Sequence, residues 1–126
     1  MPSLTVKRFA HSSCATPTAA FVFGGYDADA KPLESLETIK VGEKRGILGN
    51  SKKKWSKFTL QNSISGRNNA LMVVLYSNDI LILGGAGNDF EPQSNGVVFD
   101  PVKRKVLHKV ESSQLRFSCD NQCCIT

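Results

Sequence analysis

Short apolar runs, broken by glycine pairs and polar turns, set the rhythm of this chain. Residues 19–23 (Ala-Ala-Phe-Val-Phe) form a β-favouring run that ends at Gly24–Gly25, and residues 26–29 read as turn or loop. Residues 36–41 alternate apolar with polar, the period of a half-buried strand, and residues 55–60 alternate again. Residues 70–76 are apolar and are followed by Ser77–Asn78–Asp79, good turn chemistry. Residues 80–83 then run into Gly84–Gly85, so the two runs predict an antiparallel hairpin. Residues 96–99 predict a third strand stopped by Asp100–Pro101, and residues 105–110 a loosely alternating fourth. Residues 1–7 are only mildly extended in character. No segment of about 12 residues carries a clean helical period, and Pro32 disfavours helix around it. The pattern predicts an almost entirely β chain.

The pattern also repeats. Phe21-Val22-Phe23-Gly24-Gly25 and Leu81-Ile82-Leu83-Gly84-Gly85 match as three apolar residues followed by a glycine pair. Arg8 and Arg67 precede the doublets at nearly the same distance. Ile39 and Phe99 follow them at the same distance, at corresponding strand positions. Trp55 lies further beyond Ile39 than Val106 does beyond Phe99, and an insertion over residues 42–54 accounts for the difference. Near the end, Arg116-Phe117 echoes Arg8-Phe9. The expected architecture is therefore a single domain over residues 1–126, within the usual domain size of roughly 100–150 residues. It holds two four-stranded antiparallel units, residues 8–60 and 67–110, plus the start of a third at 116–126.

A period of about 50 residues with four strands per unit is the mark of a β-propeller blade. On Gly24–Gly25 with Trp55, and on Gly84–Gly85 with Phe99-Asp100-Pro101, the sequence resembles the kelch repeat family. Ile39 stands where that pattern has tyrosine, Phe99 likewise, and Val106 or Leu107 where it has tryptophan. The resemblance implies blades that turn at the glycine doublets, with Trp55, Phe99 and, more weakly, Ile39 filling the layer between blades. It implies that Arg8 and Arg67 bond backbone carbonyls of a neighbouring blade or face a ligand. It also implies a non-catalytic protein-interaction module, with contact loops at 26–31 and 86–93. There Tyr26, Asn88, Asp89 and the two arginines are the candidate protein-binding residues. A protein partner is expected. Propellers close with about 4–8 blades, so self-association or a longer propeller, of which this is a piece, is expected as well. A propeller enzyme of sugar-acid isomerase or oxidase type, its site shared with further blades, is the alternative.

Charge adds one feature. The net charge is +5, and residues 43–57 alone hold six of the sixteen Lys and Arg residues against one acid, Glu43. One basic segment is a solvated loop before it is a nucleic-acid groove. Nucleic acid is not expected as a partner, although this segment is where an acidic surface or nucleic acid would bind. No apolar run approaches the roughly 20 residues of a membrane span, and the N-terminus lacks the apolar core of a signal peptide. Cys14, Cys119, Cys123 and Cys124 then suggest free thiols in a reducing, cytoplasmic setting. No ligand spacing for a metal is present, the pairing of Cys14 or Cys119 with His11 defines no dyad, and Gly84–Gly87 lacks the Lys-Ser/Thr ending of a phosphate loop. No catalytic residue, cofactor or metal is assigned.

Overall fold

A computed structural model describes residues 3–41, 54–60 and 64–111. The chain is all-β, in two four-stranded antiparallel sheets. Strands β1 (Ser12–Ala15), β2 (Ala19–Phe23), β3 (Ser35–Lys40) and β4 (Ser56–Thr59) form the first in sequence order. Strands β5 (Leu71–Val74), β6 (Ile80–Leu83), β7 (Asn95–Asp100) and β8 (Lys105–Glu111) form the second. The strands read from the apolar pattern fall within a residue or two of these bounds. Residues 116–126, the expected start of a third unit, and most of the basic segment lie outside the described residues.

Local chemistry closes the hairpins. Thr16 Oγ1 accepts the Ala19 N–H before β2, and Asp100 Oδ1 accepts the Val102 and Lys103 N–H groups before β8. Between β5 and β6 the Leu75 N–H donates to Asp79 O, and Asn78 takes the left-handed conformation (φ +66°) that asparagine tolerates.

Residue alternation then decides which faces meet. In the first sheet Phe21 lies opposite Thr38 and Cys14, and Phe23 opposite Leu36 and Ser12. In the second, Ile80 lies opposite Phe99 and Val74, and Ile82 opposite Val97 and Met72. These two sets pack together as one apolar core between the sheets. Phe99 sits with its ring centroid 6.4 Å from both Phe21 and Phe58, edge-on to each. Burying a side chain of this size contributes roughly 1.5–3 kcal/mol, and the edge-to-face pairs add to that. Phe58 is flanked from outside by the Arg104 guanidinium, 4.5 Å above its ring.

The two sheets do not meet as mirror partners. By position in the repeat, Phe21 and Phe23 correspond to Leu81 and Leu83, yet the second sheet offers Ile80 and Ile82 to the core. Sheet one thus presents its front and sheet two its back. Phe99 fills the inter-sheet layer. Ile39, its counterpart, points to the back of sheet one, where it is buried with Val22. Trp55 immediately precedes β4 and is half-buried, and Phe58 is the β4 residue packed against the core.

Cys14 is a free thiol on the front of sheet one, packed against that core. Burial pushes its pKa up to about 11. In a variant whose other three cysteines are serine, alkylation by iodoacetamide at pH 8 is expected to run roughly a hundredfold slower than for a free peptide thiol. Equal rates would place Cys14 outside the interface.

Candidate functional site

At the end of the sheets where the glycine doublets lie, each unit builds the same frame. Arg8 Nη1 donates to Gly24 O and Ser35 O, each at 3.0 Å. Arg67 Nη1 donates to Gly84 O at 3.1 Å and Asn95 O at 2.8 Å. These carbonyls belong to the arginine's own unit, so each guanidinium ties the exit of one strand to the entry of the next within that unit, not across to the neighbouring one. The backbone repeats the match. Phe9 and Tyr26 exchange two N–H···O bonds, as do Asn68 and Ala86. Positive φ recurs at Ala10 and Asn69, at Gly24 and Gly84, at Gly25 and Gly85, and at Ala30 and Phe90.

The junction between units also lies here. The Gly25 N–H donates to Arg67 O at 2.8 Å, the Asn69 N–H to Ala10 O at 3.0 Å, and Ser12 Oγ to Ala70 O. The doublet is glycine for two reasons. Gly24 and Gly25 have φ of +70° and +85°, and a Cβ on either would collide with a backbone carbonyl, that of Arg67 or that of Phe9.

The arginines differ in their compensation. Arg8 Nη2 meets Glu37 Oε2 at 2.7 Å with both side chains fully buried, and the Thr5 N–H completes the carboxylate. Burial alone would raise the Glu37 pKa, but the Thr5 N–H and the Arg8 charge outweigh it and hold the carboxyl below its ordinary value. In unit two Val97 stands in the place of Glu37. Arg67, with no exposed surface, bonds only carbonyls and the Ser65 hydroxyl, and desolvation lowers its pKa to about 10. It remains a cation at neutral pH. Both arginines and both doublets are therefore built into the fold.

Two aromatic rings reach solvent at this end. Tyr26 is buried, with its ring centroid 5.5 Å from Phe9 and 5.9 Å from Phe90, and its hydroxyl lies 3.5 Å from Gly87 O. Phe9 is 53% and Phe90 73% exposed. The loop of unit one thereby touches that of unit two. Asn88 is exposed, and Asp89 shares its single 3-10 turn, Asn88–Phe90. Of the expected contact residues, Tyr26 forms the floor and Asn88 the edge of this patch. Phe9 and Phe90 were not anticipated, although a phenylalanine inside Gly-Asn-Asp-Phe-Glu-Pro is the one large apolar residue in a turn-rich tract.

The opposite end holds a cavity of about 780 Å³ between the sheets, bordered by Thr16, Thr18, Lys40, Asn78 and Pro101. Asp79 and Asp100 at its margin are engaged by Ser77 Oγ and by the turn N–H groups before β8. Among the described residues, no group of three or more His, Cys, Asp or Glu side chains could hold a metal ion, and no helix is long and apolar enough to cross a membrane. No protein-family model matches the chain, and no curated protein matches it.

Proposed function

We propose that the chain is a non-catalytic protein-interaction module of the kelch repeat type, its units stacked as propeller blades and its contact surface at the glycine-doublet end. The observation that carries this reading is the front-to-back meeting of two units built on one hydrogen-bonding frame. Such stacking leaves an apolar front on unit two. Val73, Leu81 and Leu83 stand where Cys14, Phe21 and Phe23 stand in unit one, and all three are half-buried. A further unit, from a second copy or a longer chain, is the natural cover for this face.

Sedimentation across a micromolar concentration range tests the reading. The chain is expected to associate, and Leu81→Lys to return it to monomer mass while moving the unfolding free energy by less than about 1 kcal/mol. A chain that stays monomeric throughout, or a Leu81→Lys variant that associates unchanged, would count against it.

A further inference from the structure

We infer that the aromatic notch formed by Phe9, Tyr26 and Phe90 takes a cationic side chain, arginine or lysine, of a basic peptide. The inference rests on the interaction-module reading and adds the chemistry of the partner. Tyr26 is in ring contact with both phenylalanines, and the tilts are 48° to Phe9 and 74° to Phe90. The buried tyrosine thus joins two exposed rings, each inclined to it, so that apolar aromatic surface is gathered at one place.

Phe90 holds its place at a conformational cost. Its φ is +57°, a region that a bulky residue rarely enters, and the corresponding position of unit one is occupied by Ala30 at +59°. The frame demands this backbone in both units, and in unit two it carries a large ring that is 73% exposed and so contributes little burial. A ring in that position serves contact better than it serves the core.

The neighbouring charges select the partner. An acid follows the floor and one wall directly: Asp27 after Tyr26 and Glu91 after Phe90. Exposed Asp29 and Glu34 lie in the same loop as Asp27, and exposed Lys7 and Lys31 are the opposing charges there. Arg8 is neutralised by Glu37, and Arg67 is sealed below the surface by its carbonyl partners. In a protein of net charge +5, exposed rings on loops that carry more acids than bases favour a cation over an anion or a neutral apolar group.

The test is an amide and ring-proton NMR titration of the full chain with three short Gly/Ser peptides of equal length, carrying arginine, glutamine or leucine at the same positions. The arginine peptide is expected to shift Phe9, Tyr26 and Phe90, and to bind at least tenfold more tightly than the glutamine peptide. Phe90→Gly relieves the backbone at that position, so it should keep or raise the melting temperature while weakening the arginine peptide at least tenfold. Perturbation of the loops at 26–31 and 86–93 by all three peptides alike, or by leucine alone, would overturn the cationic assignment and leave the interaction-module reading standing. Absence of any shift in those loops with every peptide would overturn the cationic assignment as well, while the interaction-module reading stands or falls on the sedimentation result.

Discussion

Arg8→Met is expected to cost about 3–5 kcal/mol at pH 7, the range for breaking a fully buried ion pair from one side. The methionine fills much of the volume, so the loss comes from Glu37, left ionised and held only by Thr5 and the Val6 N–H, and from the Gly24 and Ser35 carbonyls that lose their donor. The double variant Arg8→Met/Glu37→Leu should recover the part of the loss due to the unpaired carboxylate, since two apolar groups can replace a buried pair at little cost, while the Gly24 and Ser35 carbonyls remain without the guanidinium. Acid supplies an independent check. In the native protein the Glu37 pKa lies below its ordinary 4.5, so its contribution is complete above that value and fades as pH falls below it. In Arg8→Met the unpaired carboxyl is eased by protonation. The gap between the two proteins in urea unfolding should therefore narrow from pH 7 towards pH 3. A gap that holds constant would mean that Glu37 is not the buried group at stake.

Gly24→Ala is the second large effect, expected to cost about 3 kcal/mol or more. A left-handed backbone at φ +70° strains alanine by about 1 kcal/mol. The larger part comes from its Cβ, which would overlap the carbonyl oxygen of Arg67, a backbone atom at the junction that cannot swing aside. Gly87→Ala is the control. There the φ is −95° and the nearest obstacle is the flexible Gln93 amide at 2.9 Å, so the loss should stay within about 1 kcal/mol. Equal losses from the two substitutions would show that the inter-unit junction is not where strain is concentrated.

The strands with a continuous apolar run, β2, β5 and β6, are legible because apolar side chains stand on both faces, although in β5 and β6 only the face towards sheet one holds fully buried residues. Strand β1 is not: Ser-Ser-Cys-Ala carries no pattern, and it pairs because Arg8 and the Phe9–Tyr26 bridge deliver it beside β2. The arginines were found by their spacing, but their reach was not. Five planar donors can tie two strand ends within one unit as well as across two, and only coordinates tell which. Glu37 was read as the polar member of an alternating strand, because nothing in Leu-Glu-Thr-Ile says that the acid faces a buried guanidinium. The position of Trp55 just outside β4 leaves Phe58 and Phe99 to fill the inter-sheet layer.

The Arg8–Glu37 pair makes the two outer sheet faces of the chain unlike. At the back of sheet one, where sheet two receives its neighbour with Val97, sits a carboxylate locked to a cation and roofed by Thr5. Any protein surface approaching from that side must come to terms with a polar plug, whereas Leu81 and Leu83 at the far side welcome grease. On the proposed reading, a second copy therefore meets the front of unit two with its own like face, as a two-fold pair, and not with the back of its unit one.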